Sequence, residues 1–257
     1  MRVWPIFKKE MRLYFTSPVA YAILLVFTVV MGLFFYLQFS TFAMASMQGM
    51  MNPMMARELN VSDAVMRPLF FNTLSVILFL FLMPVITMRL FAEERRSGTI
   101  ELLLTYPVRD GAVLAGKYLA ALVLYAIMIG LTLLYPGIVV YFARLEWGPV
   151  LTGYLGLLLM GATFIAVGVF ASSLTENQIV AAITTFGALL IFWILGWSAD
   201  YAGGTAGRVL QFLSILEHND SFSKGVLDTK DVLYYVNFTV LALFLTSRSL
   251  EARRWKG

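Results

Sequence analysis

The sequence contains no cysteine and a single histidine, and only 13% of its 257 residues are charged. Without cysteine, the chain has no disulfide framework, no thiol chemistry and no cysteine-ligated metal site. A soluble domain carries about 25% charged residues, so a surface built from this chain could not be solvated in water. Its hydrophobic content of 60% and mean hydropathy of +0.81 predict an all-α integral membrane protein instead.

Six long apolar stretches lie between the charged residues. A membrane-spanning helix needs about 20 mainly apolar residues, and this criterion predicts spans at 19–39, 69–88, 118–142, 150–172, 177–198 and 232–247, the last starting near residue 227. As drawn, these spans contain no Asp, Glu, Lys or Arg. Ion-coupled carriers and proton pumps usually keep an ionisable group inside the membrane. A carrier that powers itself is therefore disfavoured.

The positive charges are distributed unequally between the segments that connect the spans. Four of the 19 Lys and Arg residues precede the first span, five lie in residues 89–117, and four follow the sixth span. The remaining six lie in the alternate segments. Because Lys and Arg concentrate on the cytoplasmic side, both termini and residues 89–117 are predicted to be cytoplasmic, in the inner (cytoplasmic) membrane of the cell. This placement explains the net charge of +4 better than nucleic-acid binding does.

Residues 1–18 alternate aromatic side chains with Lys and Arg, which is typical of an interfacial helix. An ordinary snorkelling flank is the alternative. Thr16-Ser17-Pro18 predicts a break, because Ser17 can cap the next helix and proline is tolerated in a first turn. Ala43-Met44-Ala45 resembles a signal-peptide cleavage site, but the preceding apolar run exceeds an h-region of about 7–15 residues. The first span is therefore expected to be retained.

Residues 89–117 form a charged segment between two apolar runs. Its first part continues the second helix into water. Gly98 permits a left-handed backbone and Thr99 can cap a new helix, which Pro107 ends. The predicted product is a short helix tethered at both ends to spans, so a push on it would reach both. An ordinary surface loop is the alternative.

The residues from Gly111 to Lys117 have the G-x-x-x-x-G-K spacing of a phosphate-binding loop. Tyr118 stands where that loop needs a Ser or Thr hydroxyl for magnesium, and a span follows instead of a nucleotide-binding fold. No nucleotide site is therefore expected in this chain. If the protein uses ATP, the ATPase is another chain.

The segment that begins at Glu94 reads ERRSGTIELLLTYPVR, with Gly116-Lys117 following it. It resembles the E-(R/K)-x-x-G-T-(L/I)-E-x-L-L-x-x-P-(V/L) segment of ABC-2 type transporter permeases. Residues 223–232, SKGVLDTKDV, resemble a stretch before the last span of gliding-motility (Gld-type) permeases. The six-span layout with an interfacial N-terminal helix extends the resemblance over residues 1–257, as a single transmembrane domain.

The resemblance implies a permease subunit that pairs with a second copy or a homologous permease, with a cytoplasmic ABC ATPase dimer supplying the energy. ATP and Mg²⁺ would bind that ATPase, whereas this chain would hold no cofactor or metal and would not itself be an enzyme. The short helix after Gly98 would be the coupling helix, seated in a groove of the ATPase. The ATPase-coupling residues carried over from the motif are Glu94, Arg95, Gly98, Thr99, Glu101, Leu103 and Pro107.

Six methionines crowd residues 44–55, just beyond the first span. Thioethers are soft ligands that suit Cu(I), but no Cys or His lies nearby. Flexible methionines also adapt to irregular partners, and the chain has no large outer domain of its own, unlike some members of the family. We therefore expect either a lateral path for a substrate such as membrane lipid, or an outer (periplasmic) auxiliary protein that docks at Met47, Met51, Met54 and Met55.

Residues 199–231 are predicted to form the longest outer loop. Gly203-Gly204 breaks any continuous helix, and the amphipathic stretch 208–216 could re-enter the membrane. The only histidine, His218, lies in the run EHND. Three potential ligands in four residues suggest a metal or catalytic site, but neighbouring residues do not converge without a second set of ligands. Turn and capping chemistry is therefore the prediction for His218.

Two functions from different classes remain. In the first, the chain is an ABC-2 permease, expected to be an exporter, in which ATP binding shifts the coupling helix and tilts the first, second and fifth spans. In the second, the same machinery transmits force to an outer partner and transports nothing. An ion-coupled carrier or channel fits less well, because the spans as drawn lack ionisable groups. A membrane enzyme fits least, because no nucleophile–base set is visible.

Overall fold

The computed structural model describes residues 3–51, 60–99 and 110–254, and every regular element within these ranges is helical. A π-helical turn, Ser62–Met66, precedes the third helix. The helices are α1 (Val3–Thr16), α2 (Pro18–Met51), α3 (Arg67–Phe71), α4 (Thr73–Thr87), α5 (Arg89–Arg96), α6 (Asp110–Leu131), α7 (Leu134–Phe142), α8 (Trp147–Leu174), α9 (Gln178–Ala202), α10 (Gly204–Leu213), α11 (Asn219–Ser223) and α12 (Thr229–Arg254).

Six helical stretches are long and apolar enough to cross a membrane, which confirms the predicted number. They are Pro18–Gly49, Ser62–Arg96, Asp110–Phe142, Trp147–Leu174, Gln178–Ala199 and Thr229–Ala252. The second stretch contains the π-helical turn, α3, α4 and α5, and the third contains α6 and α7. The chain is therefore a multi-pass membrane protein with one short helix, α1, ahead of its first span.

Local chemistry sets the ends and breaks of these helices. Ser17 separates α1 from α2, and its Oγ accepts a hydrogen bond from Val19 N at 3.3 Å, as predicted for a cap. Asn177 caps α9 in the same way, with Oδ1 accepting from Ile179 N at 2.9 Å. The break between α6 and α7 precedes Pro136, since proline has no N–H for the preceding turn.

The fourth span, α8, is the most buried of the six and lies at the centre of the bundle. Two of its glycines allow neighbouring helices to approach closely. A Cβ at Gly161 would lie 2.1 Å from the ring of Tyr125 on α6, and a Cβ at Gly168 would lie 2.1 Å from Thr87 Oγ1 on α4. Both distances are far below van der Waals contact, so α6 and α4 occupy the space that a side chain would need.

Contacts between distant segments define the two ends of the bundle. We call the end formed by α1, α5, the start of α6 and the end of α8 the junction end. There Lys117 of α6 meets Glu10 of α1. We call the end formed by the π-helical turn, α3, α10, α11 and the start of α12 the distal end, where Arg67 of α3 meets Asp220 of α11.

The helices run past the limits set by the charged residues, which corrects the expectation of spans without ionisable groups. The helix of the third span begins at Asp110 and includes Lys117, and that of the sixth begins at Thr229 and includes Asp231. The side chains of Lys117 and Asp231 are buried. The sequence-based limits stopped at these charges because an unpaired charge is costly in the membrane, whereas each of them has a partner from another element.

Candidate functional site

The junction end forms where α1 lies across the first turns of α6. Gly116 makes this approach possible, because a Cβ there would lie 2.8 Å from Ile6 Cγ2 and 3.3 Å from the backbone nitrogen of Phe7. Residues 111–117 belong to α6 and form helical turns, so the resemblance to a phosphate-binding loop is one of spacing alone. The close contact brings the polar side of α1 to Lys117.

Lys117 connects three elements through a buried ion cluster. Its side chain is 2% exposed, and Nζ lies 2.8 Å from Glu10 Oε1 on α1 and 3.0 Å from Glu94 Oε2 on α5. The ammonium also lies over the ring of Phe91, 5.3 Å from its centroid. Buried charges are stable only when they are paired and hydrogen-bonded. The two carboxylates therefore fix α1 and α5 to the same point on α6.

Lys9 completes the cluster from its solvent-facing side. Its Nζ donates a hydrogen bond of 2.8 Å to Glu94 Oε1, so the cluster contains two cations and two carboxylates. Burial opposes the charge of Lys9, but the hydrogen bond to Glu94 and the nearby carboxylates outweigh this effect and raise the pKa of Lys9. Glu94 thus accepts a hydrogen bond from α1 and forms an ion pair with α6 at the same time.

A serine of the fourth span bridges the break between α4 and α5. Ser172 Oγ accepts hydrogen bonds from Phe91 N at 3.0 Å and Ala92 N at 3.1 Å, and it donates to the carbonyl of Met88 at 2.8 Å. The first N–H groups of a helix lack partners within that helix, and Ser172 supplies one for two of them. Arg95 is also buried, and its guanidinium donates to the carbonyl of Ser173. These contacts fix α5 to α8.

The end of α5 has the geometry that its glycine predicts. Gly98 has a φ of +69°, in the left-handed region, and so terminates the helix. The Thr99 hydroxyl donates to the carbonyl of Glu94 at 3.3 Å and lies 2.8 Å from Ser97 Oγ. The Thr99 hydroxyl thus donates a hydrogen bond to one of the last carbonyls of α5. The helix that Thr99 is predicted to cap lies outside the described residues.

The structure brings Glu94, Arg95, Gly98 and Thr99 together at the end of α5. Residues 100–109 lie outside the described part of the chain, and with them Glu101, Leu103 and Pro107. Sequence reasoning missed Glu10, Lys117 and Ser172. The sequence contained a signal for the first two. Glu10 is the only acidic residue before Glu58, and Lys117 directly precedes a long apolar run.

The cluster borders an open cavity of about 410 Å³ between α1 and α5. Its lining includes three cationic and three acidic side chains, namely Lys9, Arg89, Lys117, Glu10, Glu93 and Glu94. The balanced charges give the cavity no preference for an anion such as a nucleotide phosphate. The junction contains side chains that link helices, and its chemistry is suited to transmitting a displacement.

The predicted outer docking residues are only partly within the described ranges. Met47 lies on α2 and is 72% exposed. Met51 is the last residue of α2, but its side chain is outside the description, as are Met54 and Met55 altogether. Among the described residues, no group of three or more His, Cys, Asp or Glu side chains is placed to hold a metal ion.

His218 differs from its prediction. The backbone forms the expected turn, with Asn219 N donating to the carbonyl of Leu216 at 2.9 Å. Its imidazole makes no capping hydrogen bond to α11. The ring is buried instead, with Nδ1 2.7 Å from Asp231 Oδ1 and a stacking distance of 3.8 Å to Tyr234. Capping was wrong for the side chain because α12 brings a carboxylate to it from 13 residues further along.

The comparison with known families agrees with the membrane architecture. Residues 4–252 match the family described as ABC-2 family transporter protein, which is nearly the whole chain. No curated protein matches the chain significantly. Membrane subunits of this family work with an ATPase partner in the transporter. This chain therefore belongs to the ABC-2 family of transporter proteins, as a membrane permease subunit.

Proposed function

We propose that this chain is the permease subunit of an exporter in the inner membrane, driven by a separate cytoplasmic ABC ATPase dimer through the segment that follows Gly98. One observation carries the proposal. Motif residues Glu94 and Arg95 hold the near end of that segment to α1 through an exposed ion pair, and to α6 and α8 through buried contacts. A displacement of the segment would thus reach several helices together.

The path of such a displacement follows the contacts of α5. Glu94 connects α5 to α1 through Lys9 and to α6 through Lys117, while Ser172 and Arg95 connect it to the fourth span. Electrostatic attraction is stronger away from water, so the buried part of this linkage resists stretching. The proposed transporter contains a second permease, identical or homologous, and both termini of the chain face the ATPase.

The coupling residue Glu101 offers the direct test. The chain is co-expressed with its ATPase, and complex formation and ATP hydrolysis in reconstituted membranes are measured for Glu101→Arg. We expect the variant to insert normally but to lose ATPase binding. Glu176→Arg is the matched control, since Glu176 is an exposed glutamate in the connection between α8 and α9, which lies at the junction end. Normal binding by Glu101→Arg would refute the coupling assignment.

A second candidate function is ATP-driven force transmission to an outer partner protein without transport. The length of α2 favours it, because 34 helical residues span roughly 50 Å, whereas the hydrocarbon core is about 30 Å thick. With its start at the cytoplasmic surface, as proposed, the other end of α2 would project beyond the hydrocarbon core, with Met44 and Met47 exposed on it. An auxiliary protein would dock there and at Met51, Met54 and Met55.

The two candidates differ in what stimulates ATP hydrolysis by the reconstituted complex. Stimulation by a lipid or glycan, together with its appearance on the opposite side of the membrane, supports export. Stimulation only by an outer protein, abolished by Met47→Asp, supports force transmission. Gln48→Asp is the matched control, because Gln48 is an exposed neighbour of Met47 on the same helix. A more distant methionine of this helix, Met31, is buried and is unsuitable.

A further inference from the structure

Two adjoining cavities at the distal end form a cleft that the coupling mechanism does not use. The larger is about 480 Å³ and lies between α3 and α11, and the smaller is about 230 Å³ and lies against α9. Leu216 and Asp220 line both, so the cavities are neighbours. We call the combined space the distal cleft. Its two halves carry different chemistry.

The smaller half is suited to a cation. Trp193 and Trp197 of α9 line it with ring centroids 4.7 Å apart, and the carboxylates of Glu217 and Asp220 complete the lining. Indole faces and carboxylates both attract ammonium groups. Ser214 also lines this half, and its Oγ is buried without a hydrogen-bond partner among the described residues. This hydroxyl faces Gly196 and is not accessible to an occupant, so the accessible polar groups of this half are the carboxylates.

The larger half contains the one cationic side chain that lines the cleft within the described residues. Arg67 Nη2 donates to Asp220 Oδ1 at 2.8 Å, which uses one of the five N–H donors of a guanidinium. Guanidinium groups bind phosphate oxygens strongly. Pro68 and Phe71 of α3 add apolar surface next to Arg67. This half therefore combines a phosphate-binding group with a wall suited to hydrocarbon.

We propose that the distal cleft binds the headgroup of a phospholipid with a primary amine, of which phosphatidylethanolamine is the probe. The ammonium lies among Trp193, Trp197 and Glu217, and the phosphate lies at Arg67. The acyl chains lead away along Pro68 and Phe71 into the membrane. Three carboxylates, those of Asp63, Glu217 and Asp220, line the cleft around the single cation Arg67, so a zwitterion, which brings a cation of its own, fits this lining better than an anionic lipid does.

The choice of a primary amine follows from the hydrogen-bonding groups in the smaller half. The carboxylates of Glu217 and Asp220 accept hydrogen bonds, and a primary ammonium has three N–H groups to donate. A quaternary ammonium has none, so a choline headgroup would keep the aromatic contacts but lose the charge-assisted hydrogen bond to Glu217. Lipid binding here needs no ATPase, so its outcome is independent of the proposed transport function.

The test measures lipid retention by the purified chain in detergent with native mass spectrometry. Phosphatidylethanolamine, phosphatidylcholine and phosphatidylglycerol of equal chain length are titrated separately. We expect phosphatidylethanolamine to bind about tenfold more tightly than either of the others, as loss of a charge-assisted hydrogen bond predicts. Glu217→Gln should reduce this preference severalfold. Glu176→Gln, the same change at the junction end, should leave it intact.

Tryptophan variants separate the cleft from ordinary annular lipid. Trp193→Leu should weaken phosphatidylethanolamine binding, whereas Trp147→Leu, at an exposed tryptophan at the start of α8, should not. Helical content by circular dichroism checks that each variant is folded, and Glu217→Gln is the second cleft variant if Trp193→Leu is not. Equal binding of the three lipids, or equal effects of the cleft variants and their controls, would show annular lipid only and overturn the proposal.

Discussion

The two ends of the bundle are held together by different kinds of contact. At the junction end, a buried lysine bridges two carboxylates, and serine and arginine contacts join the same short helix to the fourth span. At the distal end, α3 and α11 meet through Arg67 and Asp220, whose side chains are substantially exposed. The buried pair of His218 and Asp231 joins the loop before α11 to α12. The ion pair between α3 and α11 is thus exposed, whereas the pair that joins α12 to the loop before α11 is buried.

This difference has a mechanical meaning. Exposed ion pairs contribute little, about 0–1 kcal/mol, whereas breaking a buried pair by removing one partner costs about 3–5 kcal/mol. The junction end should therefore move as a unit, while α3 can separate from α11 at low cost. In the proposed function, the junction end would receive force and benefit from stiffness, and the distal end would open and benefit from a weak contact. Four substitutions test this contrast.

The largest effect is expected for Lys117→Met, which leaves Glu10 and Glu94 buried without their shared cation. We expect the free energy of unfolding to fall by about 3–5 kcal/mol, measured by denaturant titration in detergent micelles. Lys230→Met is the matched control at the distal end, where the lysine is exposed and pairs with Asp228. Equal losses for the two variants would contradict a stiff junction.

The buried pair of the distal end ranks second. Asp231→Asn keeps an oxygen that can accept from His218 but removes the charge, so we expect a loss of about 1–3 kcal/mol in the same titration. Asp228→Asn changes an exposed aspartate three residues earlier and should have almost no effect. A loss at Asp231 as large as that at Lys117 would mean that the two ends are equally firmly held.

Ser172→Ala tests the contact between α5 and the fourth span. It removes the acceptor for two N–H groups of α5, and we expect a loss of about 1–2 kcal/mol. In the reconstituted complex, it should also weaken the stimulation of ATP hydrolysis. Ser198→Ala is the control, because the hydrogen bond of the Ser198 hydroxyl among the described residues stays within its own helix, to the carbonyl of Ile194. No difference between these variants would remove α8 from the proposed path.

The smallest effect is expected for Arg67→Gln at the distal end. Because the ion pair with Asp220 is exposed, we expect a change below about 1 kcal/mol in detergent without added phospholipid. Arg208→Gln on α10 provides a comparison at the same end. A loss of several kcal/mol for Arg67→Gln would show that α3 and α11 are firmly joined and would reverse the contrast between the ends.

Features determined by neighbouring residues could be predicted from the sequence. The six spans follow from uninterrupted apolar runs, the break at Ser17 from its hydroxyl and the following proline, and the end of α5 from Gly98. Each depends on residues a few positions apart, whose backbone preferences are the same in any fold. The family motif also located the end of α5 that forms part of the candidate site.

Features determined by long-range pairing could not be predicted. Glu10 and Lys117 are 107 positions apart, and the capping hydroxyl of Ser172 lies 81 positions from Phe91. In the sequence, Lys117 has the character of a charge at the membrane surface, and Ser172 is one small polar residue in an apolar run. The buried role of His218 was missed for the same reason, because its partner belongs to another helix. Packing, and not local preference, decides these roles.

The glycines of the fourth span have a consequence for measuring motion. Because Gly161 and Gly168 each receive a side chain from a different helix, α8 cannot rotate about its own axis without steric overlap. The helix α8 is thus a suitable fixed reference for measuring the movement of the others. A spectroscopic label at the exposed Leu151 of α8, paired with one on α2 or α9, would report the displacement of those helices alone. A distance measured between two of the other spans would combine the displacements of both helices.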